Sequence, residues 1–296
     1  MKDISVIIPI YNSRIDDILV TLESIVKQNG ITYEIILCDD GSSNNQESEI
    51  RNFFLVEKDV EYNLILNKKN KGTVQNVISA LERARGEFIK IIAPGDMLYK
   101  ENTLANMVDF MRTGGIEFAF GRMYAYSGEH GYQQELRDFH APKDLKAYQS
   151  VDLKRIKKNI VLYCDLISGA SMFAKCDSFL KELKYISKYV KYCEDYVQIS
   201  LALRGITFSL YDDIVVCYEC TQGISNQKYL DRKQSKVQID YENLIKNLAT
   251  QYADFLLQKR LKLNIYRDIE NPMKRILKKF LCSPGFYIFS IKTKRL

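Results

Sequence analysis

Apolar residues in the first 120 positions follow two alternating rhythms. The stretch "ISVIIPIY" (4–11) is β-branched and apolar almost throughout, the pattern of a strand buried on both faces, as in a parallel sheet. "IDDILVTLESIVKQ" follows, with Ile15, Ile18, Leu19, Leu22, Ile25 and Val26 spaced by three and four, the stripe of an amphipathic helix. The alternation then repeats. "YEIILCDDGSS", "YNLILNKKNKG" and "EFIKIIAP" read as strands, and "ESEIRNFFLVEKD", "TVQNVISALERA" and "ENTLANMVDFMRTG" as helices. Arg85-Gly86 and Gly114-Gly115 are expected to end two of these helices as C-caps. Strands alternating with helices predict βαβ units and an α/β fold with a mostly parallel central sheet flanked by helices. Ligands bind beyond the carboxyl ends of such strands. That directs attention to Pro9–Asn12, Asp39–Ser42, Lys68–Gly72 and Ala93–Asp96.

Beyond residue 120 the rhythm loosens. Residues 124–160 are rich in Tyr, charge and Gly and read as long loops with short helices; His130 and His140 fall here. "LYCDLISGASMFAKCDSFLKEL" restores apolar order, "CEDYVQISLALRG" reads as a helix with two acids at its start, and "ITFSLYDDIVVCYEC" as one or two strands. From about residue 227 helical spacing returns with many Lys, Tyr and Leu. The expected division is a domain over 1–225 and a basic helical C-terminal extension over 226–296.

Composition adds less. Of 296 residues, 46% are apolar and 27% charged, ordinary for a globular chain with a normal core. The net charge of +6 favours anionic partners such as nucleotides, phosphates or an anionic membrane surface; no motif supports nucleic acid. No run approaches the roughly 18 apolar residues of a spanning helix. The apolar run after Lys2 and Asp3 is shorter than a signal-peptide core, so a cytoplasmic protein is expected. Seven cysteines without regular spacing fit a reducing compartment. The single CxxC, Cys217 to Cys220, has no nearby second ligand pair and reads as a strand end.

Five segments in order, "ISVIIPIYN", "EIILCDDGSS", "NKGTVQN", "RGEFIKIIAPGDML" and "CEDYVQISLALRG", resemble family 2 glycosyltransferases of the Rossmann-like GT-A fold, over roughly residues 3–225. Each is weak alone; together, on the expected strand exits, they are specific. The resemblance implies an inverting transfer of a sugar from a nucleotide-diphosphate sugar, a UDP-sugar in first place. The acceptor would be a glycan or lipid-linked molecule of a bacterial cell-envelope polysaccharide.

The resemblance also assigns roles. Asp39 and Asp40 would meet the base and ribose, as acceptor-only carboxylates suit an imide N–H and sugar hydroxyls; taken alone, Asp-Gly is an ordinary turn, with Gly41 permitting it and Ser42 able to cap a helix. Pro9, Tyr11 and Asn12 would form the other wall of the base pocket, with Tyr11 stacking or donating its hydroxyl. Asn70, Lys71 and Gly72 would lie near ribose and phosphates, Lys71 at a helix N-terminus. Relatives carry an Arg a few residues later, where this chain has Val74 and Gln75. Where relatives have several acids after the fourth strand, this chain reads Ala93, Pro94, Gly95, Asp96. Gly95 and Asp96 would then mark the diphosphate position, with Asp96 as the one protein ligand to a divalent cation, Mn²⁺ or Mg²⁺. Asp195 would be the catalytic base with Glu194 as its neighbour, although two acids at a helix start also answer the macrodipole. Ser168, Gly169 and Ala170 match a small-residue segment near donor sugar or acceptor.

The tail "MKRILKKFLCSPGFYIFSIKTKRL" is cationic and aromatic. It suits peripheral attachment to an anionic inner membrane surface, and equally a helix packed on its own domain or on a second copy in a homo-oligomer. Two other functions stay open: a sugar-nucleotide-binding protein with weak or no catalysis, suggested by Ala93 and Gly95, and a nucleotidyltransferase, which expects a glycine-rich basic first turn that "IPIYNSR" lacks.

Overall fold

The computed structural model describes residues 2–57, 59–126, 137–220, 235–267 and 269–293. His130 and the rest of 127–136, part of the Tyr- and charge-rich 124–160 stretch, lie outside them.

The doubly apolar runs form strands. β1 (Lys2–Ile10), β2 (Tyr33–Asp39), β3 (Tyr62–Leu66) and β4 (Gly86–Ile91) pair in the order β3-β2-β1-β4, all parallel. Period-two alternation sends their side chains to two separate cores. Ile7, Ile36, Ile89 and Ile91 enter one; Ile4, Val6, Ile8, Ile35 and Leu37 enter the other. α1 (Ile15–Val26), α2 (Glu47–Val56) and α4 (Thr103–Thr113) cover the second face, and α3 (Thr73–Leu81) the first. The carboxyl ends of β1, β2 and β3 are level, with Ile10 opposite Asp39 and Asp39 opposite Leu66.

The sheet continues past β4, where it becomes mixed. β8 (Met172–Lys175) runs antiparallel to β4 and to β6 (Phe118–Tyr126); β9 (Ser209–Glu219) lies parallel to β6, and the two-residue β5 (Met97–Leu98) closes the edge antiparallel to β9. β7 (Arg137–Phe139) pairs with β6. The first half of the sheet is all parallel, and the second half mixes parallel and antiparallel pairs.

Two expected caps are used differently. α3 ends at Leu81, and Gly86 opens β4 instead of capping the helix. A Cβ there would sit 2.3 Å from Ser5 N and 2.6 Å from Ile4 C, so close strand approach requires this glycine. Ser42 does not cap a helix, since α2 begins only at Glu47; its hydroxyl serves the β2 turn.

α5 (Leu145–Gln149), α6 (Leu153–Lys158) and a π-turn (Asn159–Tyr163) lead to β8; α7 (Cys176–Ile186) and α8 (Val197–Leu203) follow it. α9 (Lys236–Gln251) buries Tyr241, Leu244, Ile245 and Leu248 in the same core as α3, α7 and α8. The first described helix of the 226–296 segment is thus continuous with the main core. α10 (Phe255–Arg267), α11 (Pro272–Cys282) and α12 (Pro284–Lys292) complete the chain. Among the described residues no helix is long and apolar enough to cross a membrane.

Candidate active site

The strand exits converge through hydrogen bonds among their own turns. Asp39 turns its carboxylate inward and accepts from the backbone N–H of Gly41 (3.0 Å) and Ser42 (2.9 Å) and from the Ser42 hydroxyl. Asp40 reaches across to the β3 exit and accepts from the N–H groups of Lys71 and Gly72, each at 2.8 Å. Both acids are buried. The expected nucleotide carboxylates therefore fix the shape of these turns, while a carboxylate's further lone pairs can still accept from a ligand.

Asn12, at φ 50°, donates its N–H to Ser42 Oγ at 2.7 Å and accepts from Ser43 N at 3.0 Å, tying the β1 exit to the β2 exit. Pro9 is partly covered within β1. Tyr11 stands 49% exposed on the same turn, able to lie against a planar base. Asn70 and Lys71 are exposed at the start of α3, and Lys71 Nζ donates to Asn67 Oδ1 at 3.3 Å. Two residues not singled out in the sequence, Asn76 at the end of "NKGTVQN" and Lys191, complete this wall. Asn76 donates to Cys38 O and accepts from Asn67, holding β2, β3 and α3 together. Lys191 lays its stem over Gly72, where a Cβ would meet its Cγ at 2.5 Å, and its carbonyl accepts from Val74 N at 3.1 Å. It brings a second cation to the α3 N-terminus, beside the positions where Val74 and Gln75 replace the expected Arg.

The Ala93–Asp96 turn is clamped by its neighbours. Gly95, at φ 97°, donates to Thr21 Oγ1 at 2.9 Å, and its carbonyl accepts from the Tyr126 hydroxyl. Thr21 Oγ1 in turn donates to Asp96 O at 2.8 Å. One Asp96 carboxylate oxygen accepts the Glu219 N–H at 2.8 Å. Burial pushes the Asp96 carboxyl up to about 7, against the pull of that hydrogen bond and of Lys90. Lys90 is the fully buried cation of β4. Its ammonium donates to the carbonyls of Ala170 and Met172 and lies 4.7 Å from the centre of the Phe173 ring. Burial pulls it down to about 7, with Asp96 opposing.

A divalent ion needs several oxygen ligands. Among the described residues no group of three or more His, Cys, Asp or Glu is gathered for a metal. Asp96 supplies one carboxylate with Glu219 buried beside it. That donor set fits a hard cation only if phosphate and water oxygens supply the rest of the shell. Cys217, near the end of β9, and Cys220, just past it, are both thiols, and His140 is exposed.

Ala170 links this turn to the acid pair. Gly169 beside it lies against "CEDY": a Cβ on Gly169 would meet Asp195 Cβ and Glu194 Oε1 at 3.3 Å each. The segment Ser168–Ala170 thus brings backbone close to the acids. Glu194 and Asp195 occupy a 3₁₀ turn (Glu194–Tyr196) ahead of α8, so they are not in the first turn of an α-helix as the pattern suggested. With Gly169, Ile89, Ile91 and Phe179 they line an apolar recess. Burial raises both carboxyls. Asp195 reaches about 8, pushed further by the charges of Glu194 and Asp240. Asp240, from α9, accepts from the N–H groups of Tyr192 and Cys193 and braces the turn from behind.

The profile described as "Glycosyl transferase family 2" matches residues 5–174. WfgD of Escherichia coli, named as a UDP-Glc:alpha-D-GlcNAc-diphosphoundecaprenol beta-1,3-glucosyltransferase, is 30% identical over 118 residues, 40% of this chain and 44% of its own. The glycosyltransferase GlyG of Streptococcus pneumoniae serotype 4 is 31% identical over 129 residues, 43% of this chain and 41% of its own. The matches span less than half the length of these relatives. Among solved structures, the mannosyltransferase PcManGT of Pyrobaculum calidifontis, in complex with GDP-Man and Mn²⁺, superposes with a TM-score of 0.63 at 16% identity over 95% of this chain and 74% of its own. Residues 1–349 of S. aureus TarS, in complex with UDP-GlcNAc, give 0.60 at 17% identity over 97% and 80%. These structures share the fold: a curled central sheet flanked by helices, as in GT-A glycosyltransferases. With the profile covering more than half of its residues, the chain belongs to glycosyl transferase family 2.

Proposed function

We propose that this protein is an inverting glycosyltransferase that moves a hexose from a nucleotide-diphosphate sugar, in first place a UDP-sugar, to a glycan or lipid-linked acceptor of a bacterial envelope polysaccharide. The observation that carries the reading is the half-buried Glu194–Asp195 pair against Gly169 and beside β4, with Lys191 of the same segment lying over Gly72 at the β3 exit. WfgD, which matches in part, is named for a UDP-Glc donor and a diphosphoundecaprenol-linked acceptor.

The base would rest against Tyr11 and the Asp39–Ser42 turn, and the diphosphate against Lys71 and Lys191 at the α3 N-terminus. Asp195 would accept the proton of the attacking hydroxyl. Asp96, with oxygens of the diphosphate, would hold a divalent ion, which offsets charge on the departing nucleotide. The test is direct. UDP-sugars are incubated with Mn²⁺ and an acceptor, nucleotide release is measured, and the product anomer is read by NMR. Release with inversion supports the reading. Retained configuration overturns it, and tight donor binding with no turnover on a range of acceptors favours the second reading, a sugar-nucleotide-binding protein. Ala93 and Gly95, in place of acids, are what keep that alternative in view.

Two substitutions follow from the site. Asp96→Ala is expected to abolish the tightening of UDP binding by Mn²⁺ in calorimetry; unchanged metal dependence would place the ion elsewhere. Lys71→Met and Lys191→Met are each expected to weaken UDP binding by about tenfold, the worth of one charge-assisted hydrogen bond. They should leave the binding of uridine, which lacks the diphosphate, unchanged.

A further inference from the structure

α11 faces the wrong way for a helix that serves this fold alone. Met273, Ile276, Leu277, Phe280 and Leu281 form one stripe at spacings of three and four. A helix docked on its own domain would turn that stripe inward. Here none of its residues is buried, and Met273, Leu277 and Leu281 are 78%, 57% and 70% exposed. The better-covered residues are the basic Arg275 and Lys279 and the thiol Cys282, on the opposite face. Lys279 meets Arg275 and, from α10, Arg260 and Arg267, cations whose proximity adds to the burial that lowers its own pKa. The apolar stripe extends into α12. The Phe280 ring packs edge-on to Tyr287, with centroids 5.7 Å apart, and Ile291, one turn beyond Tyr287, is 53% exposed.

We propose that the exposed stripe of α11, continued by Ile291 of α12, docks on the surface of an anionic lipid bilayer. Charge complementarity selects this occupant. From Asn271 to Leu296 the sequence holds seven Lys and Arg and no acid. Lys274 and Lys278 flank the stripe, placed to lie among headgroups while Leu277 and Leu281 enter the apolar layer. A second copy would bring to this face the same basic residues and, from this segment, no acid to meet them.

The experiment is flotation of the full chain with vesicles. The protein is expected to float with vesicles containing about one-third phosphatidylglycerol in phosphatidylcholine, to stay free of pure phosphatidylcholine, and to be released by salt. Leu277→Ser/Leu281→Ser and Lys274→Ser/Lys278→Ser should each reduce binding by at least about tenfold, and Leu55→Ser on α2 should not. These side chains are exposed, so circular dichroism melts should match the parent's. Two outcomes overturn the proposal: failure of the parent protein to bind anionic vesicles, or binding untouched by both double variants. A dimer in light scattering that Leu277→Ser/Leu281→Ser dissolves, without vesicle binding, also overturns it and assigns the face to a second copy. The sugar-transfer reading stands or falls separately, through donor turnover in solution.

Discussion

Asp195→Asn is expected to lower sugar transfer by about 10²- to 10⁴-fold, the usual contribution of a positioned general base, while the melting temperature at pH 8 rises. The two effects share one cause. Burial and the neighbouring charges of Glu194 and Asp240 raise the Asp195 carboxyl to about 8. A group that binds its proton more tightly when folded contributes stability that is fully present below its unfolded pKa, near 4, and is lost as pH rises toward 8. Asn has the same shape without the charge, so that loss should vanish. The activity profile has the opposite sign. Transfer needs the unprotonated carboxylate, so kcat/KM should climb as pH rises through about 8, and the apparent value belongs to the Glu194–Asp195 pair together. Substantial transfer by the variant, with donor binding intact, would remove Asp195 from the role of base.

The second large effect concerns stability and is expected at Lys90. Lys90→Met keeps an unbranched apolar stem and removes the ammonium. The carbonyls of Ala170 and Met172 then lose a donor, and buried Asp96 loses the cation that opposes its desolvation. Breaking a buried charge arrangement from one side costs about 3–5 kcal/mol. Adding Asp96→Asn should recover a good part of that cost, because the uncompensated charge goes with it. Urea unfolding of the two single variants and the double variant measures the coupling. A cost below about 1 kcal/mol for Lys90→Met would mean that the ammonium is not what offsets Asp96. Since Ala170 adjoins Gly169, transfer should slow more than donor binding weakens in this variant.

The framework is legible in the sequence because it rests on periodicity. β1 to β4 and α1 to α4 follow from runs of two and of three-and-four, and the positions to inspect follow from where those strands stop. Side-chain partnerships are less legible. Lys90 sits in an apolar strand, and a lone cation there signals only that some acceptor must exist, without saying that it lies 80 residues away at Ala170. Lys191, Thr21, Glu219 and Asp240 reach the site from segments whose patterns describe their own helix or strand and not what it packs against. Gly86 shows the converse: its sequence context fits a helix cap, yet its neighbour across β1 decides its use. The acid pair carries a motif, but its 3₁₀ turn depends on a brace from α9.

That brace has a consequence for anyone cutting or splicing the gene. The family profile stops at residue 174 and composition shifts near 225, so a truncation at 225 would look complete. It would lack Asp240, which holds the Tyr192 and Cys193 amides, and the apolar stripe of α9 that seals the core behind them. Chimeras made to exchange the C-terminal helices should therefore be joined after Gln251, so that the acid turn keeps the helix it leans on.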